Sequence, residues 1–442
     1  MNKEKIKIEK LVFEGFGLGR KDNKVFFVKK CVPGDEVSLK NLKYKKNVVF
    51  AEIDEVIDPS VDRIKPNCPY FELCGGCDHM NISYKNQLKY KNAILKEILN
   101  RAGIDIKASN IIHGSTEPYH YRNSTRFFFK LNNFLLNKQN KVYLARQNVS
   151  YKKGLVDVDL CLLQSKKIND VMAMLKDCIN DKVENKSSFW QLKVREGKKT
   201  GDLMIEIITS NHDLPGEKEI VETLKKIEGV KSIYHTIAPG KSLINVKRRL
   251  IFGLPVIYEK IGKFTFQISP ESFFQTNSEG AENLYGIIKE FADVKIGDEI
   301  VDLFCGTGSI GIYLSTLAKK IVGVEAVPEA IRDAKDNAKI NKITNCEFIC
   351  SDISKLKILN LKFDDKIIII DPPRAGLKKE LIKTISASKF KRLIYVSCNP
   401  ATFTRDLKYF AEEGIIANKI QPIDMFPQTH HLEVVSVLVK SS

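Results

Sequence analysis

The segment 299–311 reads EIVDLFCGTGSIG, an apolar run that leads directly into a glycine-rich turn. Gly306, Gly308 and Gly311 satisfy the pattern G-x-G-x-x-G, and Glu325 ends the next apolar run along the chain. Glycines in such a turn let the backbone approach a nucleotide-like ligand, and the acidic side chain can accept hydrogen bonds from ribose hydroxyls. The pattern fits a dinucleotide, another adenosine-containing cofactor or a purely structural turn, and alone it leaves all three open.

Around this segment, short apolar runs alternate with helix-like stretches from about residue 266 onward. The runs are EIVDLF, KKIVGVE, CEFICSD, KIIIID, RLIYVS and HLEVVSVLVK. Continuous apolar strands separated by helices are typical of a mostly parallel sheet with helices on both faces. We therefore predict an α/β protein in which residues 266–442 form a doubly wound, Rossmann-like sheet.

Two of these runs place reactive side chains just after their last apolar residue. KIIIID ends in the sequence DPPR, where Asp371 precedes two prolines that fix the backbone. Such a loop beside a glycine-rich turn resembles those of S-adenosylmethionine-dependent methyltransferases, which favours that cofactor over a dinucleotide. RLIYVS delivers Cys398, and a helix expected near Thr402 should lower the pKa of its thiol. A small buried cysteine is the alternative, but its position favours a nucleophile.

A methyltransferase needs a thiol only when the target carbon is a poor nucleophile, as carbon 5 of uracil is. Attack of a thiolate on carbon 6 makes an enolate, which directs electron density onto carbon 5. A general base must later remove the carbon 5 proton. The segment 425–435, MFPQTHHLEVV, supplies Glu433, His430 and His431 as candidates, and the residues alone do not rank them.

Three cysteines near residue 70 form a separate group. Cys68, Cys74 and Cys77 have the spacing C-x5-C-x2-C, and the two glycines between the last two allow a tight wrap. Zinc would need a fourth ligand nearby, for which His79 is available. An iron–sulfur cluster would need a fourth thiolate, which can come from far along the chain. The spacing predicts a metal or cluster site.

The bulk properties place these motifs in a large, basic protein. The 442 residues predict more than one core, and we divide the chain into a small β domain at 1–58, a mixed α/β part at 59–265 and the sheet at 266–442. The net charge of +17 favours a polyanionic partner such as RNA, although a lysine-biased composition gives the same excess. With no membrane-length apolar run and no signal-peptide core, we expect a cytoplasmic protein.

Four long segments together resemble the RNA uracil-5-methyltransferase family. They are DLFCGTGSIG (302–311), DPPRAGL (371–377), YVSCNPATFTRDL (395–407) and DMFPQTHHLEVVSVL (424–438). The resemblance implies that Cys398 is the nucleophile and Glu433 the base. It also implies S-adenosylmethionine contacts from Gln275, Phe304, Glu325 and Asp371, with Asp352 as a further candidate near the adenine. Asn399 replaces the aspartate of many members.

The amino-terminal half resembles a subset of the same family. The cysteine spacing matches members that carry a [4Fe–4S] cluster, which implies Cys161 as the fourth ligand, whereas Cys178 fits an apolar helix position. Residues 1–58 resemble the TRAM domain, which implies RNA contact by the lysines flanking Tyr44. Residues 119–130 match the family's Tyr-Arg-Asn segment. There Tyr121 would stack on bases, and phosphates would be held by Arg122 and Arg126.

A TRAM-like domain together with the cysteine group resembles the branch that acts on ribosomal RNA. This implies 23S ribosomal RNA as the substrate, before or early in subunit assembly, and we expect no membrane association and no obligate protein partner. The alternatives are the same chemistry on transfer RNA, methylation of cytosine, or an RNA-binding iron–sulfur redox sensor without methyl transfer. The ending THHLEVV favours uracil, and the intact glycine turn, Asp371, Cys398 and Glu433 argue against a degenerate enzyme.

Overall fold

A computed structural model describes residues 4–104, 112–132, 141–147, 154–210, 213–243, 246–353 and 362–441. The chain folds into three large sheets and one two-stranded hairpin, with helices packed mainly on the second and third sheets. Over the same ranges, no helix combines the length and apolar character needed to cross a membrane.

The first sheet is small and strongly curved. Its strands are β1 (Lys5–Lys7), β2 (Lys10–Val12), β3 (Phe16–Lys21), β4 (Lys24–Lys29), β5 (Glu36–Lys45) and β6 (Val48–Asp58). They lie in the order β1-β5-β6-β4-β3-β2, with every pair antiparallel except β4 and β6. Apolar residues alternate along the strands and enclose a core that includes Ile8, Val28 and Val37.

The second sheet lies in the middle of the chain. This part of the chain comprises α1 (Tyr84–Arg101), β7 (Ser124–Asn132), β8 (Lys141–Gln147), β9 (Leu155–Asp157), α2 (Lys166–Lys182), β10 (Phe189–Glu196), β11 (Leu203–Thr209), α3 (Glu217–Leu224), β12 (Val230–Ile237) and β13 (Lys247–Gly253). Seven strands form the order β13-β12-β11-β10-β7-β8-β9. Helices α2 and α3 bury Val171 and Ile220 against Leu192 and Ile205 of the sheet.

The third sheet confirms the predicted doubly wound architecture. Its part of the chain comprises β14 (Ile257–Ile261), β15 (Phe264–Ile268), α4 (Ser278–Ala292), β16 (Glu299–Leu303), α5 (Ser309–Leu314), β17 (Lys320–Glu325), α6 (Pro328–Ile340), β18 (Cys346–Cys350), β19 (Ile367–Ile370), α7 (Lys379–Ser386), β20 (Arg392–Ser397), α8 (Pro400–Glu412), β21 (Ile415–Ile423) and β22 (Glu433–Lys440). The seven-stranded order is β18-β17-β16-β19-β20-β22-β21. The five strands from β18 to β20 are parallel, and β22 inserts antiparallel beside β20.

Apolar cores cover both faces of this third sheet, which explains why its strands read as continuous hydrophobic runs. Helix α1 contributes to one of them, because Leu95 and Leu99 pack in the same cluster as Val301 and Leu303. The parallel strands therefore end at a common edge, and the loops that follow them form the candidate site.

Candidate active site

The glycine-rich turn after β16 adopts a backbone that only its glycines tolerate easily. Gly306 and Gly308 have φ of 54° and 76°, and Phe304 before them also has a positive φ of 65°. A Cβ added at Gly308 would lie 2.7 Å from the ring of Phe348. Glu325, at the end of β17, accepts a hydrogen bond from the Gly306 amide at 3.3 Å. The structure thus brings the turn and its predicted acidic partner together.

A cavity of about 1030 Å³ opens beside this turn. Phe304 and Asp352 line it, together with the loop and helix start from Pro373 to Lys378. Gln275 does not line this cavity and lies just before α4, where its carbonyl oxygen accepts a hydrogen bond from the Asn123 side chain at 3.0 Å. Phe304, Glu325 and Asp371 each stand at the end of a parallel strand and so share one edge of the sheet, although neither Glu325 nor Asp371 lines the cavity.

Three carboxyl groups at this edge of the sheet have raised pKa values. Burial raises the pKa of Asp371 to about 6. Burial, and then the charge of Asp371, raises the pKa of Glu433 to about 8. The same two causes raise the pKa of Asp302 to about 8, and its carboxyl is fully buried. Carboxyls left so incompletely compensated favour a ligand that carries positive charge.

Sequence reasoning missed Asp302. The signal was present, since an acidic residue interrupts the buried strand EIVDLF. A fully buried aspartate in the central strand of a sheet is costly unless a ligand or a proton compensates it.

Cys398 and Glu433 lie at the ends of adjacent strands. The last pair in the antiparallel register of β20 and β22 is Ser397 with Val434, and Cys398 and Glu433 are the next residues beyond that pair. Cys398 lies just before α8, which begins at Pro400 with Asn399 as its N-cap. The charge of Glu433 acts on the Cys398 thiol, so the predicted nucleophile lies near one of the three candidate bases.

The expectation of a lowered thiol pKa is wrong for the ligand-free protein. Burial raises the pKa of Cys398 to about 11, and the charges of Glu433 and Asp371 add to the increase, while Arg374 opposes it. The amino end of α8 is already capped, because the Asn399 side chain accepts hydrogen bonds from the amides of the first turn. Neighbouring carboxyls from other strands thus outweigh the local helix effect.

The two histidines considered as bases have other contacts. His430 pairs with Asp78 through Nδ1 at 2.7 Å. His431 lies 3.3 Å from the guanidinium of Arg374, and burial, followed by the charges of His430 and Arg374, lowers its pKa to about 3. Of the three candidates, Glu433 is the one whose charge acts on the Cys398 thiol.

The four cysteines predicted as cluster ligands line a single cavity. Cys68, Cys74, Cys77 and Cys161 surround it together with Arg122 and Arg146, so the distant Cys161 does reach the other three. Burial raises the pKa of Cys77 to about 12. Among the residues with described positions, no three His, Cys, Asp or Glu side chains are arranged to hold a single metal ion. The thiols enclose a space rather than converge on a point.

His79, the alternative zinc ligand, does not line this cavity. It is 1% exposed, so the surrounding protein encloses its ring. Burial lowers its pKa to about 3. The zinc alternative therefore loses its proposed fourth ligand.

The predicted RNA contacts divide into residues that reach the surface and residues that do not. Tyr121 is 4% exposed and donates a hydrogen bond to the Pro427 carbonyl, so the prediction that it stacks on a base is wrong. Arg122 lines the cysteine cavity, whereas Arg126 is exposed. Tyr44 is 58% exposed, with the Lys24 ammonium 5.3 Å from its ring centre. Arg126 and Tyr44 therefore remain available to a nucleic acid.

A glycine-rich turn with an acidic partner, at the carboxyl edge of a doubly wound parallel sheet, fits an adenosine-containing cofactor. The model of the tRNA (uracil-5-)-methyltransferase family matches residues 83–441. The chain therefore belongs to this family, and it is an RNA methyltransferase that uses S-adenosylmethionine.

Relatives of known sequence and structure agree with this placement. An uncharacterized RNA methyltransferase of Halalkalibacterium halodurans is 34% identical over 448 residues, covering 98% of this chain and 96% of that protein. One from Caldanaerobacter subterraneus is 35% identical over 447 residues, covering 99% and 98%. The crystal structure of the Pyrococcus abyssi tRNA (uracil-54, C5)-methyltransferase with S-adenosyl-L-homocysteine has a TM-score of 0.78 and 27% identity, covering 98% of this chain and 99% of that one.

Proposed function

We propose that this enzyme methylates carbon 5 of a uridine in 23S ribosomal RNA through a covalent adduct between Cys398 and carbon 6. The observation that carries the proposal is the nearness of Cys398 to Glu433 and Asp371, at the neighbouring ends of β20, β22 and β19. A thiol and a carboxyl are the two groups that carbon 5 methylation of a uracil requires.

Cys398 starts the reaction. Its thiolate adds to carbon 6, the carbon 5–carbon 6 π pair moves toward the carbon 4 carbonyl, and an enolate forms. Carbon 5 of that enolate then takes the methyl group. Bound S-adenosylmethionine supplies this methyl as an electrophile on a sulfonium. Because the thiol pKa is about 11 in the free protein, the ligands must lower it before attack.

Glu433 completes the reaction. In its ionised form it removes the carbon 5 proton, the electrons of that bond restore the carbon 5–carbon 6 double bond, and the bond from carbon 6 to sulfur breaks. Positive charge near Asp371 favours ionised Glu433, since the Asp371 carboxylate is the second cause of its raised pKa. The target base must leave its stack to reach these two residues.

The remaining predicted site residues would bind the methyl donor. Glu325 suits the ribose hydroxyls, Phe304 and Asp352 suit the adenine side, and Asp371 and Gln275 suit the amino-acid and sulfonium side.

We also propose that Cys68, Cys74, Cys77 and Cys161 hold a [4Fe–4S] cluster. All four cysteines line one cavity, and four thiolates are the number that such a cluster takes; when bound it would supply structural cross-linking or one-electron chemistry. Because His79 does not line this cavity, zinc would lack its fourth ligand, which favours the cluster.

The domain division that we propose is 1–58, 59–265 and 266–442, with the first two parts serving RNA binding. The TRAM-like β domain and the cysteine group favour ribosomal RNA, and the exposed Tyr44 and Arg126 suit single-stranded contact. A second candidate is transfer RNA, because the Pyrococcus abyssi relative, similar over nearly the whole chain, is a tRNA (uracil-54, C5)-methyltransferase.

Transfer of labelled methyl groups separates these substrates. The enzyme is incubated with labelled S-adenosylmethionine and either protein-free 23S ribosomal RNA or total transfer RNA from a strain that lacks the gene. We expect label in one or two uridines of 23S RNA, located by nuclease mapping and mass spectrometry. Label mainly in transfer RNA would replace the substrate, and label on cytosine would replace the reaction.

A further inference from the structure

The cysteine segment is hydrogen-bonded to the segment that carries the catalytic base. We call residues 424–432 the base loop, because Glu433 follows it at the start of β22. The amides of Asp78 and His79 both donate to the Gln428 carbonyl, at 3.0 and 3.1 Å. The Asp78 carboxylate accepts from the His430 amide at 3.1 Å and pairs with Nδ1 of the same histidine at 2.7 Å. Asp78 directly follows Cys77.

Other contacts fix the middle of the base loop. Gln428 has a φ of 69°, a conformation that a non-glycine residue holds only with support. Its amide donates to the Gln87 side chain at 3.0 Å, and the Gln87 amide returns a bond to its side chain at 2.9 Å. A Cβ added at Gly15 of the first sheet would lie 2.9 Å from His430 and 3.1 Å from Asp78. The pair is therefore enclosed where the first sheet, the cysteine segment and the base loop meet.

The base loop also contacts the nucleophile's side of the site. His431 lies 3.3 Å from Arg374. The Arg374 carbonyl accepts hydrogen bonds from Asn399, the residue after Cys398, at 3.2 Å and from Thr402 at 3.1 Å. Contacts thus run from Asp78 through the base loop to Asn399, the residue next to Cys398, and the loop itself continues into Glu433.

We propose that Asp78 is a positioning residue for catalysis, which holds His430 and thereby sets where Glu433 stands relative to the covalent adduct. This inference rests on the proposed function. The Asp78 and His430 side chains are only 20% and 25% exposed, so solvent screens their pairing only in part. The base must be placed within a fraction of an ångström of the proton it removes, so a small shift of the loop slows that step selectively.

Asp78→Ala removes the acceptor and tests the proposal. We expect turnover to fall about 10- to 100-fold, with little change in S-adenosylmethionine affinity or in KM for the RNA. Because proton removal is the slowed step, a methylated covalent adduct should accumulate on Cys398, as it should in Glu433→Gln. Asp78→Asn keeps an oxygen acceptor and should restore most of the turnover. His430→Leu removes the other partner of the pair and should lower turnover to a similar extent.

Controls separate this role from a merely structural one. Glu72→Ala lies in the same cysteine segment, is exposed, and should behave as the wild type. Iron content should be equal in all variants. The proposal is overturned if Asp78→Ala turns over normally, or if its defect comes with lost iron or lost S-adenosylmethionine binding. If Glu433→Gln itself accumulates no adduct, the proposed chemistry fails, a result independent of Asp78.

Discussion

Methyl-donor binding should depend on pH because two carboxyls of the site have raised pKa values in the free protein. Glu433 has a pKa of about 8 and Asp371 one of about 6 in the free protein. A bound sulfonium favours their ionised forms and lowers both values. The free protein then binds more protons than the complex, so binding releases protons and tightens as the pH rises.

The size of the pH effect on binding follows from the pKa of Glu433. If its pKa falls from about 8 to below 6 in the complex, affinity rises almost tenfold per pH unit and levels off above pH 8. From pH 6 to pH 8 the gain is about 50-fold, equivalent to about 2.3 kcal/mol. Asp371 adds a smaller increase near pH 6.

Titration calorimetry with S-adenosylmethionine and S-adenosylhomocysteine isolates the contribution of the sulfonium charge to binding. The two ligands share the adenosine and amino-acid groups, and only the first carries the sulfonium. The ratio of their affinities should rise with pH between 6 and 8, with proton release detected from buffers of different ionisation enthalpy. Glu433→Gln should flatten most of the rise. A ratio that is constant over this range in the wild type would refute the electrostatic reasoning.

Three further predictions concern stability, the cysteine site and RNA binding. Lys91→Met leaves Asp424 buried without its ion-pair partner and should cost about 3–5 kcal/mol of unfolding free energy, whereas Lys391→Met, at a more exposed pair, should cost under about 1 kcal/mol. Anaerobically purified protein should contain about four irons per chain, which Cys161→Ala should lose and Cys178→Ala should keep. RNA affinity should fall steeply with salt, with a log–log slope of about 0.7 per phosphate contact.

Each of these has a clear contrary result. Equal destabilisation by the two lysine variants in urea unfolding would remove the distinction between the buried and the more exposed pair. One zinc without sulfide, by metal analysis, would replace the cluster. Salt-independent RNA binding in filter assays would mean that the lysines and arginines behind the net charge of +17 do not contact RNA phosphates.

The sequence predicts the catalytic sheet well because its signals are local. The glycine turn at 306–311 needs its backbone conformation whatever surrounds it, and KIIIID reads as a strand buried on both faces. The structure confirms both. The order of the strands also brings Asp371 and Cys398 to one edge, as the alternating pattern implied.

What the sequence could not supply are contacts between distant segments. The pKa of Cys398 depends on Glu433 and Asp371, which lie on other strands, so a local helix argument gave the wrong direction. Tyr121 looked like a surface aromatic but is buried under the base loop. The Asp78–His430 pair joins residues 352 positions apart, and nothing in either motif indicates it.

The covalent adduct is the central claim, and trapping it is the most direct test. Target RNA transcribed with 5-fluorouridine should form a stable complex with the enzyme and S-adenosylmethionine, because fluorine cannot leave carbon 5 as a proton. Mass spectrometry of the digested complex should place the methylated nucleotide on the peptide that contains Cys398, and Cys398→Ala should form no complex. An adduct on another residue, or full methylation by Cys398→Ala, would contradict the mechanism.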